Sequence, residues 1–227
     1  EFNLNTRNFV GEFTWETNLN MTFNKNEVLK LGGPEILSGV SLIREGLPIN
    51  SFYGYKMGGI YQTLDEVFAG VPMENRAPDK ASHNSQVNTS PGDIWFVNVN
   101  GDDVINDFDR TVIGNPQPDF IFGFNNQFGY KNFDLSILLQ GQIGGDIMNA
   151  NYENTENLDG VFNVRKYVQD RWRSPENPGN GIVPRTKSGT TELFRLGHSG
   201  QVYDASYLAI KNVTLGYTIP FTPNHYI

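Results

Sequence analysis

Phe13 to Asn24 alternates without a break. Phe13, Trp15, Thr17, Leu19, Met21 and Phe23 are apolar or threonine, and Thr14, Glu16, Asn18, Asn20, Thr22 and Asn24 between them are polar. A period of two sends successive side chains to opposite faces of a strand, so this run has one dry face and one wet face. Soluble strands are usually about five or six residues long, whereas a tilted strand that crosses a bilayer needs about 9–11. This run is long enough to cross.

The same period recurs in four other places. In 1–8, Phe2, Leu4 and Thr6 alternate with Asn3, Asn5 and Arg7. In 119–130, Phe120, Phe122, Phe124, Phe128 and Tyr130 are in phase and Asn126 is the exception. In 133–141, Phe133, Leu135, Ile137 and Leu139 alternate with Asp134, Ser136 and Gln140, and Leu138 breaks the pattern. In 207–219, Leu208 and Ile210 hold one phase and Val213, Leu215 and Tyr217 the other. That slip of one residue predicts a β-bulge near Lys211–Asn212.

The connections alternate too. Phe9–Gly11 and Lys131–Asn132 are short, while 25–118 and 142–206 are long. Outer-membrane barrels have short periplasmic turns and long extracellular loops, with aromatic girdles at the interfaces. Phe13, Trp15, Phe128, Tyr130, Phe133 and Tyr217 all fall near the short-turn ends, which predicts such a girdle there. The polar phase would then line a lumen with Glu16, Asn18, Asn20, Asn125, Gln127 and Gln140. A soluble sandwich with aromatic core strands is the alternative, but loops beyond about 15 residues are uncommon in compact soluble domains. In the second long loop Val161, Val164, Tyr167, Val168 and Trp172 recur at helical spacing. They predict an amphipathic helix over about 159–172, packed on the loop, flanked by Arg165, Lys166, Arg171 and Arg173 and stopped by Pro175 and Pro178.

Composition narrows the classes. No run of about 18 apolar residues exists, so no transmembrane helix is expected; the chain's overall polarity is compatible with a barrel, in which only alternate residues meet lipid. A net charge of −8 argues against nucleic acid as a partner. Without cysteine there is no disulfide framework or thiolate site. The chain opens directly on a strand, and Ile227 finishes no element, which suggests an internal piece of something longer.

One segment carries metal-binding spacing. Asn98 to Asp109 places oxygen side chains at positions 1, 3, 5 and 12 of a calcium loop and a hydrophobe at position 8. Asn98, Asn100, Asp102 and Asp109 would supply side-chain oxygens and Val104 its carbonyl, to Ca2+ or Mg2+. Asn98 stands where Asp is usual and Asp103 where Gly is usual, although Asp tolerates the left-handed turn that the sixth position needs. With two carboxylates among the ligands, affinity should be weak, about 10⁻⁴ to 10⁻³ M. A metal-free Asn/Asp turn is the alternative. No enzyme is expected: His83, His198 and His225 are far apart, and no nucleophile elbow, phosphate loop or zinc-protease motif is present.

The segment Pro91 to Asn149 resembles the C-terminal barrel region of SusC/RagA-type TonB-dependent outer-membrane transporters. It carries Pro91-Gly92-Asp93, the 98–109 loop, then Asp109-Arg110 with Ile113-Gly114-Asn115-Pro116, then the strand around Gly123-Phe124-Asn125. Asn24-Lys25-Asn26, Phe52-Tyr53-Gly54-Tyr55, Arg171-Trp172 with Pro175-Glu176-Asn177-Pro178, and Tyr207 to Pro220 agree in order. The resemblance covers nearly the whole chain. It implies an all-β, antiparallel segment of a 22-stranded transmembrane barrel in the bacterial outer membrane, with loops extracellular. It also implies an N-terminal plug, energy through TonB, a SusD-like lipoprotein partner, and import of glycans or oligopeptides. Five strands cannot close a barrel, and an open edge in lipid leaves backbone groups unpaired, so this segment should not insert stably alone. A secreted all-β binding module with a calcium-stiffened loop, and an adhesin or receptor barrel, remain open at this point.

Overall fold

A computed structural model describes residues 1–74, 77–78, 88–149, 163–186 and 196–220. In chain order its elements are β1 (Phe2–Phe9), β2 (Phe13–Phe23), β3 (Ile36–Ser38), β4 (Ser41–Ile43), β5 (Ser51–Tyr55), β6 (Met57–Ile60), α1 (Leu64–Ala69), β7 (Ala77–Pro78), β8 (Asn88–Thr89), β9 (Ile94–Phe96), β10 (Arg110–Gly114), β11 (Phe120–Tyr130), β12 (Phe133–Ile143), β13 (Asp146–Met148), β14 (Val202–Asp204) and β15 (Tyr207–Tyr217). They group into two compact units. One comprises Glu1–Asn26, Gln117–Asp146 and Asp204–Ile227, the other Glu27–Pro116 and Ile147–Tyr203.

The first unit is a five-stranded sheet in the order β1-β2-β11-β12-β15, antiparallel throughout. Each of the five alternating runs forms one of its strands, and the register keeps their phases aligned. Leu4, Leu19, Phe124, Leu139 and Ile210 stand opposite one another across the sheet, as do Asn5, Asn18 and Asn125. The expected bulge is present. Leu138 pairs with Asn212 and Leu139 with Ile210, so Lys211 is the extra residue, and its insertion puts Leu208 and Ile210 on the same face as Val213 and Leu215. A second bulge at Asn8 lies between the pairs Arg7–Glu16 and Phe9–Trp15. β12 runs on to Ile143, opposite Phe120, beyond the expected end at Gly141. β15 stops at Tyr217 rather than Ile219, where Thr218 donates to the Asn132 carbonyl and Pro220 has no N–H to continue the ladder.

The dry face is aromatic at both ends. Near the hairpins Phe9 and Phe128 lie 5.9 and 5.7 Å from Trp15 on stacked rings, and Phe133 lies 4.6 Å from Tyr217. At the other end Phe23 meets Phe120 at 5.4 Å. As expected of a five-strand segment, the described strands form an open antiparallel sheet, with β1 and β15 as its edges.

The second unit folds from both long connections. An antiparallel sheet β10-β5-β4-β3 and the pair β6-β9 accompany a core of Tyr55, Ile94, Phe96, Ile105, Val168 and Val183. The first connection supplies four of these residues; Val168 and Val183 come from the second, so the two segments share one core. Of the helix expected over 159–172, residues 159–162 lie outside the described residues. The rest holds only a 3₁₀ turn, Lys166–Asp170. Arg165 is its N-cap residue, with no side-chain capping hydrogen bond. Beyond it the Trp172 N–H is taken by the Val183 carbonyl, a tertiary partner that ends the helical ladder. The apolar spacing was core packing: Val168 and Trp172 are buried.

Candidate functional site

Two places bring candidate residues together. The first is the wet face of the five-stranded sheet. Asn18 donates to Asn5, Ser136 donates to Asn125 Oδ1 at 3.3 Å, and one row further Arg7 Nε lies 3.3 Å from Glu16 Oε1. Asn5, Arg7, Glu16, Asn18, Asn125 and Gln127 line a groove of about 520 Å³. Asn20 stands opposite Gly123, which in turn stands opposite Gln140. All six residues expected to line a lumen therefore share this face.

The dry face holds a polar feature that alternation alone did not predict. Thr6 Oγ1 donates to Asn8 Oδ1 at 3.0 Å, Asn8 Nδ2 to Thr17 Oγ1 at 2.8 Å, and Thr17 Oγ1 to Asn126 Oδ1 at 2.9 Å. Trp15 Nε1 donates to the same Asn126 oxygen at 2.9 Å. The Asn8 bulge and the Asn126 phase exception are thus two parts of one hydrogen-bonded chain across three strands.

The second place is the loop 98–109, in the other unit. Asn98 Oδ1 accepts from Gly101 N at 2.7 Å, Asn100 Oδ1 from Asp102 N at 3.0 Å, and Asp102 Oδ1 from Val104 N at 2.9 Å. Asp109 is fully buried; its Oδ1 accepts from Val99 N at 2.8 Å and its Oδ2 from Asn106 N at 2.8 Å. Each candidate side-chain ligand thus accepts a backbone N–H, the pattern of Asx turns. The left-handed turn falls at Gly101 (φ +79), while Asp103 does not adopt positive φ; the expectation that Asp103 takes it is corrected. Glycine at that step has no Cβ to clash. Among the described residues no group of three or more His, Cys, Asp or Glu side chains is clustered as a metal site would be.

Around this loop the second unit is tied by charge. Arg185 Nε and Nη2 donate to the two Asp93 oxygens at 2.7 and 3.0 Å, and Ser90 N donates to Asp93 Oδ2 at 2.9 Å. This bidentate pair joins the first long connection to the second. Gly92 (φ +89) lies so close to Trp172 and Arg185 that a Cβ would collide with both. Pro91-Gly92-Asp93 is therefore a folding motif of this unit. Tyr55 donates to Asp107 Oδ1 at 3.0 Å, and burial, reinforced by that carboxylate, pushes its hydroxyl up to about 12. Arg44 holds the Glu35 carboxyl below its ordinary range through a direct hydrogen bond. His198 is buried, with Nδ1 accepting from Gly200 N at 3.1 Å. His83 and His225 lie outside the described residues.

No family model matches the chain. Curated relatives do. A TonB-dependent receptor P3 from Formosa agariphila is 35% identical over 97% of this chain and 21% of its own length. A second from that organism, P26, is 32% identical over 97% and 22%. The TonB-dependent receptor SusC of Bacteroides thetaiotaomicron is 27% identical over 96% and 20%. The chain thus spans about a fifth of the length of these relatives. Among solved structures, that of the RagAB peptide transporter superposes with a TM-score of 0.69 at 20% identity, over 99% of this chain and 23% of that one, a likeness of fold. Over nearly its whole length the chain is similar to curated TonB-dependent receptors, SusC among them.

Proposed function

We propose that this chain, a homologue of TonB-dependent receptors, supplies part of the wall and loops of an outer-membrane transporter that imports glycans or oligopeptides. The observation that carries the reading is the dry face of the sheet. Phe2, Leu4, Phe9, Phe13, Phe133, Ile210, Val213, Leu215 and Tyr217 are all exposed on it. A water-soluble protein rarely leaves so wide an apolar face bare; in a bilayer that face meets lipid. The four 11-residue strands β2, β11, β12 and β15, tilted about 40°, rise roughly 28 Å, enough for an apolar band about 25 Å tall. A secreted binding module would have to cover this surface.

In this reading the hairpin turns face the periplasm, the second unit is extracellular, and the open edges β1 and β15 continue into the rest of a 22-stranded barrel. TonB engages a part of the protein beyond these residues, and a SusD-like lipoprotein covers the extracellular side. Nothing in the reading requires bond-making by this chain. A weakly held Ca2+ or Mg2+ in the 98–109 loop is a further proposal. Asn98, Asn100, Asp102 and Asp109 and the Val104 carbonyl would hold it in competition with the backbone bonds those side chains now accept. Heat on calorimetric titration of the full-length protein, lost in Asp102→Ala, supports the ion; silence at millimolar ion removes it.

The membrane reading is tested in the full-length protein refolded into lipid vesicles. Leu19→Arg or Ile137→Arg should each cost about 2–4 kcal/mol of folding stability if those positions face mid-bilayer, and Asn18→Arg much less. Equal costs at all three positions would contradict it.

A further inference from the structure

We propose that the wet-face groove of β1, β2 and β11 is a cargo-contact surface selective for uncharged, hydroxyl-rich molecules over charged ones. This rests on the transporter reading above and narrows it. Charged residues make up 19% of the chain, yet Arg7 and Glu16 are the only ones on these three strands, and they lie 3.3 Å apart, each cancelling the other. Apart from Thr6 and Thr17, the rest of the groove lining is carboxamide: Asn5, Asn18, Asn125 and Gln127, continued along the strands by Asn3 and Asn20 on the same face.

A carboxamide presents an acceptor and two donors side by side. That complements a vicinal diol, in which each hydroxyl both donates and accepts. Exchanging water for such a partner is nearly neutral in free energy, so many weak contacts replace one strong site, as passage through a pore requires. A charged cargo would lose hydration and find no unpaired counter-charge on this wall. On these three strands only Ile121 is apolar on the wet face, so the apolar side chains of a peptide would find little to pack against. A sugar, polar around its rim, fits better.

The test uses cells expressing the full-length protein with its partner. They are offered a neutral oligosaccharide pool, the same pool oxidised to uronates, and a pool of capped, uncharged peptides, with uptake read by mass spectrometry. Wild type should favour the neutral saccharides over the uronates by about tenfold or more. Asn18→Lys with Asn125→Lys should move that ratio toward the uronates by about tenfold, and the near-isosteric Asn18→Asp with Asn125→Asp should move it the other way. An unchanged ratio in both variants, with the barrel at wild-type level in the outer membrane, overturns the inference. So does a wild type that prefers uronates or peptides. A full-length protein that forms no heat-modifiable outer-membrane barrel, or admits none of the pools, overturns the transporter reading and this inference with it.

Discussion

At the scale of single residues, position in the alternation decides what each polar group must find. Asn126 sits in the dry phase between Phe124 and Phe128, where an unpaired amide is costly, and its oxygen accepts from both Trp15 and Thr17. Asn126→Ala would leave two donors without their acceptor in an apolar setting. It should destabilise the full-length protein by about 1–3 kcal/mol in urea titrations in lipid vesicles. An effect below about 0.5 kcal/mol would mean the chain of hydrogen bonds contributes nothing. Asn126 was visible in the sequence only as an exception, because its partners lie on β2, more than a hundred residues away in the chain. In the second unit Arg185→Ala strips the nearly buried Asp93 of its bidentate partner. It should cost about 1–3 kcal/mol and open both long connections to protease together; cleavage of the second connection alone would contradict a shared core. Tyr55 gives a pH signature. Its hydroxyl titrates near 10 when unfolded and about 12 when folded, so its contribution is complete below pH 10 and is lost as pH rises toward 12. Tyr55→Phe should flatten that loss in thermal unfolding followed between pH 9 and 12.

At the scale of elements, the strands were legible and the short helix was not. A strand facing two media writes its period directly into the sequence, and even the bulge of β15 was readable as a phase slip. Deleting Lys211 should therefore preserve assembly, since Leu208 and Ile210 stay in phase with Val213. Deleting Lys211 and Asn212 together reverses one half of the strand and should sharply lower the folded protein in the outer membrane. Equal behaviour of the two deletions would deny the bulge its role. The spacing of Val164, Val168 and Trp172 imitated a helix because a loop wrapped on a core also buries residues at intervals, here Val168 and Trp172, while Val164 stays exposed. The competing signal, the tertiary bond from Trp172 N to the Val183 carbonyl, has no local trace. The 98–109 loop shows the same limit. Its spacing is that of a calcium loop, but the same oxygens suit Asx turns equally well, and only the fold shows Asp109 buried beneath backbone N–H groups.

At the scale of the whole molecule, the long connections read as separate loops in the sequence, and their common core appears only in the fold. Val168 and Val183 complete an interior begun by Tyr55, Ile94, Phe96 and Ile105. The central claim concerns the other unit: its dry face meets lipid and its wet face meets water inside a barrel. The chain has no cysteine, which makes it suited to single spin labels at Leu19, Phe124 and Ile137 on one face and Asn18, Asn125 and Ser136 on the other. Collision with oxygen, which partitions into lipid, and with a water-soluble nickel chelate would be measured in the full-length protein in vesicles. The account predicts that labels at 19, 124 and 137 respond to oxygen and are shielded from nickel, and that labels at 18, 125 and 136 show the reverse. Nickel access at 19, 124 and 137 equal to that at 18, 125 and 136 would contradict it.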